Sequence, residues 1–151
     1  MDSITAPRRT AADRPHLAIV AIAVWALLQL PRLIAVPIVQ DVLAGHDSPA
    51  WLFPAILDIV VALAAPLVAF AIWGKRGLAV WMIAITFFVV SIIDHMDAVT
   101  AGLTAPAPRT FAGMNGPGPA TVPFGQAVID VAMLVVLTRR KLRSYYLGSP
   151  G

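Results

Sequence analysis

The chain has 151 residues, 59% of them hydrophobic and only 13% charged, with a mean hydropathy of +0.82. Soluble domains are less apolar and about twice as charged, so the composition is that of a membrane-embedded protein and points to a lipid bilayer, not a nucleic acid, as its surroundings. With no cysteine there are no disulfides, thiolate metal sites, iron–sulfur clusters or cysteine nucleophiles, and with all eight acids aspartate the Glu-x-x-His ligand pattern of di-iron bundles is absent.

Residues 1–15 carry Arg8, Arg9 and Arg14 and read as a disordered tail. A first apolar span covers 17–39; it continues past Arg32 without a small-x-small cleavage site, so it reads as an uncleaved helix and not a secretory signal. Pro31, directly before Arg32, should loosen this helix by removing a backbone donor, and Pro66 should do the same in a second span over 51–73. The turn GKRG at 74–77 leads into a third span, 78–99, so spans two and three should lie side by side and antiparallel. The segment 104–123 is rich in Pro, Gly and Ala, has no helical or strand period, and reads as an outer loop, either a lid or docking segment or a plain connector. A fourth, shorter span follows at 121–138, and residues 144–151 read as a second tail.

Each span is long enough for a hydrocarbon core about 30 Å thick. Basic residues gather on one side of this arrangement: the N-terminal arginines, then Lys75 and Arg76, then Arg139, Arg140, Lys141 and Arg143. The expectation is an all-α integral membrane protein, a four-helix antiparallel bundle occupying 16–143 as a single domain, with N- and C-termini cytoplasmic. Excess arginine over lysine and abundant alanine and valine fit a high-GC bacterium, which would place it in the plasma (inner) membrane.

The informative residues are the ionisable ones inside the spans. Counting from the inner basic anchors, Arg32 is 18 residues from Arg14, Asp58 is 17 from Lys75 and Asp94 is 18 from Arg76. At 1.5 Å per residue all three stand roughly 25 to 27 Å from those anchors, in one layer toward the outer edge of the core. His95 and Asp97 lie beside that layer, and Asp130, only 9 residues before Arg139, falls deeper, with Gln126 one turn away as its expected hydrogen-bond partner. A charge in a membrane helix is expensive, so these groups should face the bundle and one another. Arg32 is the one base available to Asp58 and Asp94; its fork can hold one carboxylate and still donate to a second, tying the first span to the third. Acid remains in excess, which calls for a protonated His95, a neutral aspartate or a bound cation.

Arg32, Asp58, Asp94, His95, Asp97, Gln126 and Asp130 are therefore the candidate ligand or ion pocket. Ser91, Asp94, Asp97 and Thr100 should form one polar stripe on the third span. For a metal, Asp58, Asp94 and Asp97 are weak oxygen-donor candidates and His95 with His46 and Asp47 a softer set, but neither has a recognisable ligand spacing. No cofactor is indicated, and the histidines do not supply paired haem ligands at one depth. No catalytic nucleophile or motif is present, so the reading is a non-enzyme: a small accessory or interaction subunit, a homo-oligomer or part of a larger membrane complex. The alternatives are an oligomeric proton- or cation-coupled transporter using Asp130 and the Asp58/Asp94 layer, and a membrane enzyme or redox carrier acting on a lipid or quinone. The inner halves of the spans carry no charges, which argues against a channel within one copy.

Overall fold

A computed structural model describes residues 16–111 and 118–148, and all the regular structure among them is helical. The expected tail 1–15 and the centre of the expected outer loop lie outside these residues. Four stretches are long and apolar enough to cross a membrane: Leu17–Leu43, Pro49–Gly74, Leu78–Thr104 and Gly118–Thr138. Large apolar side chains cover their outward surfaces, with Leu67 74% and Phe70 69% exposed. Surfaces so apolar suit lipid and not water.

The first stretch is not one helix. Helix α1, His16–Leu27, gives way to a 3-10 segment, Leu30–Ile34, before α2, Ala35–Leu43. Pro31 causes the break: it has no N–H to continue the ladder, and its ring excludes the carbonyl four residues earlier. The 3-10 segment takes over, with Arg32 N–H donating to Gln29 O at 3.1 Å.

Helix α3, Leu52–Gly74, contains Pro66, and α4 runs from Leu78 to Thr104, five residues beyond the expected end near 99. The added turn is supported by the Thr100 and Thr104 hydroxyls, which donate to Met96 O and Thr100 O. It stops at Ala105, held extended before Pro106. Helix α5, Gly118–Thr138, begins inside the segment expected to be loop, with Pro119 in its first turn where its missing N–H costs nothing. Residues 140–147, partly assigned to a tail, instead form helix α6, Arg140–Leu147, which buries Leu142 and Tyr146. Tyr146 donates its hydroxyl to Ile72 O at 3.0 Å, and the Arg76 guanidinium stands 4.0 Å from the Tyr145 ring centroid.

Helix α4 packs on α3 and α5, and α3 packs on α1, the 3-10 segment and α2. The buried apolar side chains form two clusters. One joins Ile22, Ala26, Val61, Ile72, Phe88 and Leu137 with the buried face of α6. The other joins Ala35, Ile38, Trp51, Ala55, Ala98 and Ala101. Gln29 and Arg32 in the first stretch, Asp58 on α3, and Ser91, Asp94 and His95 on α4 fall in sequence between members of these two groups.

Candidate functional site

The polar residues between the apolar clusters converge on the Arg32 guanidinium, which the proline-induced turn delivers to the bundle interior and which is buried. Its Nη1 lies 2.5 Å from Asp94 Oδ2 and 3.3 Å from Asp58 Oδ1. Its Nη2 donates to Ser91 Oγ at 2.6 Å, stands 3.8 Å from Asp130 Oδ2 and touches the His95 ring nitrogen Nε2. One side chain thus joins the 3-10 segment to α3, α4 and α5, the geometric reason Arg and not Lys is used here.

Asp130 is the second hub. Trp25 Nε1 donates to its Oδ1 at 2.6 Å and Gln29 Nε2 at 3.3 Å, while Ser91 Oγ donates to Oδ2 at 2.6 Å. Ser91 therefore accepts from Arg32 and donates its single hydroxyl hydrogen to Asp130. His95 Nε2 is 3.3 Å from Asp130 Oδ2 as well as in contact with Arg32. It can accept from the arginine or donate to the aspartate, but not both in one protonation state.

Arg32, Asp58, Asp94, His95 and Asp130 are brought together as candidate site residues, and two expectations about them change. Asp130 shares the Arg32 cluster instead of lying apart from any base. Its amide partner is Gln29 and not Gln126, which reaches no group among the described residues and lines a neighbouring pocket. Asp97 is half-buried and outside both cluster and pocket. The stripe on α4 is Ser91, Asp94 and His95, for a simple reason. At about 100° per residue, Asp97 stands some 120° around the helix from Ser91, whereas Asp94 and His95 flank it. Thr100 is exposed and bonded to its own helix.

Among the described residues no group of three or more His or acidic side chains is placed to hold a metal ion. The two sets considered from sequence are not assembled. Asp97, one turn from Asp94, joins no group with Asp58 and Asp94 that could hold a metal ion, His46 lies 3.7 Å from Asp41, and Asp47 accepts from Arg109 N–H. Sequence reasoning missed Trp25 as a site residue and gave Gln29 no role. The signal was present: Trp25, Gln29 and Arg32 recur at i, i+4 and i+7, one helical face.

The cluster opens on one side to a pocket of about 260 Å³. Its polar lining consists of Arg32, Asp58, His95 and Gln126; the rest is apolar, including Ile38, Trp51, Phe111 and Val122. Trp51 is fixed there by donating Nε1–H to Pro106 O at 2.8 Å. Three carboxylates, Asp58, Asp94 and Asp130, face one guanidinium, and within the fully buried Asp94 the Oδ1 atom has no hydrogen-bond donor among the described residues. Asp58, 27% exposed, is the carboxylate the pocket can reach. No protein-family model, curated protein or solved structure matches the chain.

Proposed function

We propose that this chain is a multi-pass protein of a bacterial plasma membrane, an antiparallel four-helix bundle with both termini cytoplasmic. In this reading it acts as an accessory or interaction subunit, in a homo-oligomer or larger complex, whose outer pocket takes a small ligand. The sidedness rests on the basic residues flanking the apolar stretches: Lys75, Arg76 and the Arg139–Arg143 run fall on one side and Asp41, Asp47 and Arg109 on the other. The observation that carries the ligand reading is the pocket itself: mostly apolar walls with a few polar groups at one end are the usual construction of a small-molecule site.

The test is purification of the tagged protein from its native membranes in mild detergent, with mass spectrometry of the retained proteins and small molecules. The expected result is a stoichiometric partner together with a small molecule that is lost when Val122→Trp obstructs the pocket. Protein free of both would reject the reading.

Proton- or cation-coupled transport is the second reading, favoured by the excess of buried acid over base around Arg32. The opposing feature is the apolar cluster of Ile22, Ile72, Phe88 and Leu137, all essentially inaccessible, which leaves no polar route past the Arg32 layer among the described residues. Transport would therefore draw on an interface between copies. Asp130→Asn should abolish flux in reconstituted vesicles without loss of folded protein, and unchanged flux would remove Asp130 from any transport mechanism.

A further inference from the structure

We infer that the pocket beside Arg32 binds a small organic cation, an ammonium group carrying an apolar substituent, with Asp58 as its charge partner. This rests on the ligand-pocket reading above and adds the chemical class of the ligand.

Charge comes first. The guanidinium is the natural attractor for an anion, but both of its terminal nitrogens are engaged, Nη1 with Asp94 and Asp58 and Nη2 with Ser91, His95 and Asp130, and its Nε, without a partner among the described residues, is buried. An anionic ligand would add to a cluster where carboxylates already outnumber the base. A cation has the opposite effect. Asp58 holds only the longer 3.3 Å share of Nη1, and of the three carboxylates it is the one that opens to the pocket. Asp94 Oδ1, fully buried, is likewise without a hydrogen-bond partner among the described residues.

The walls point the same way. Trp51 and Phe111 contribute aromatic rings to the lining, and Trp51 is held in position by its bond to Pro106 O. An aromatic ring attracts an ammonium through its quadrupole, an effect that strengthens on desolvation. Gln126 adds an amide with no other partner among the described residues, whose carbonyl oxygen suits a cation. Ile34, Ile38 and Val122 offer apolar surface to a substituent, and about 260 Å³ lies below the range of drug-sized sites, so the ligand is small. A bare metal ion would leave these walls unused.

Three isosteric probes separate the possibilities: benzyltrimethylammonium, its uncharged carbon analogue neopentylbenzene, and the anion benzylsulfonate. Each is measured by equilibrium dialysis against the full chain in lipid nanodiscs, with empty nanodiscs subtracted. Benzyltrimethylammonium is expected to bind saturably and in preference to the other two. Asp58→Asn should weaken it by about tenfold or more, the consequence of removing a desolvated charge partner. Val122→Trp, at a 58% exposed position that tolerates bulk, should block binding with the fold intact. Comparable or tighter binding of the neutral or anionic probe, or an Asp58→Asn protein that binds the cation unchanged, would overturn the cation assignment and leave the pocket standing. Binding of none of the three, or binding indifferent to Val122→Trp, would overturn the pocket reading itself. The probe comparison needs no variant, so a misfolded Asp58→Asn would not spare the proposal.

Discussion

Arg32 bears most of the polar structure of this molecule, and its removal is the sharpest single-residue test of it. Arg32→Ala would leave Asp58, Asp94 and Asp130 facing one another without a cation, and breaking a buried ion pair on one side costs about 3 to 5 kcal/mol. A large fall in thermal stability by fluorescence-detected size exclusion is expected. Arg32→Met combined with Asp94→Leu should recover part of the loss, because the strongest member of the uncompensated pair is then removed as well. No recovery would mean that Asp58 and Asp130, not Asp94, dominate the charge balance. Tyr146 gives a pH test outside the spans. Burial, with the neighbouring Tyr145, pushes its hydroxyl up to about 12, against the opposing pull of Arg76. The folded state therefore favours the neutral phenol, whose proton bonds Ile72 O. That stability is complete below the ordinary tyrosine value near 10 and is lost as pH rises toward about 12. Tyr146→Phe should lower stability at pH 8 by about 0.5 to 1.5 kcal/mol and flatten the fall in melting temperature between pH 10 and 12. An equally steep fall in the variant would place the alkaline sensitivity elsewhere.

Among the helices, a tight contact lies where α5 starts against the end of α4. A Cβ added at Gly102 would stand 2.9 Å from Ala120 N and 3.0 Å from Pro119 C, both backbone atoms that cannot swing aside. Gly102→Ala should then force α5 outward, costing about 1 to 3 kcal/mol as overpacking does, and should loosen the pocket wall formed by Gly118 and Pro119. Its signature is reduced thermal stability together with weaker probe binding; a variant as stable as the parent would show that the two helices can separate freely. This contact was invisible in the sequence, because a glycine among Ala and Thr at a helix end looks like a terminator. The same limit explains what could be read and what could not. Arg32, Asp58 and Asp94 were legible as neighbours because helical rise converts sequence distance into depth, and depth alone brought them level. Rotation about each axis was harder. It separates Asp97 from Ser91 and turns Gln126 into the pocket wall, and in the first span it follows a 3-10 segment whose tighter winding no regular count anticipates. Helix α6 was lost for a different reason: its buried Leu142 and Tyr146 share a short segment with Arg140, Lys141 and Arg143, so composition resembled a tail while the contact with Ile72 made it a packed element.

At the scale of the whole molecule, the fold is arranged around a polar layer held between two apolar clusters, and this sets both its limits and its orientation test. Lipid cannot satisfy the Arg32 layer, so the surrounding helices must, which is why the groups there bond across helices and not outward. The apolar cluster at the α6 end closes the interior beneath that layer, leaving its pocket as the access. If the basic flanks set the orientation, the pocket faces away from the cytoplasm. The absence of native cysteine makes this directly measurable with single engineered thiols at exposed or partly exposed positions. Ala107→Cys lies in the connection beside the pocket, whereas Lys75→Cys and Ser144→Cys lie at the opposite end of the helices. In intact cells a membrane-impermeant maleimide should label Ala107→Cys alone, and after permeabilisation all three. Labelling of Lys75→Cys and Ser144→Cys in intact cells, with Ala107→Cys protected, would invert the protein and turn the pocket toward the cytoplasm. Labelling of Lys75→Cys and Ser144→Cys from different sides would break the four-span arrangement itself, since an even number of crossings, the two spans between them, must return the chain to the same face.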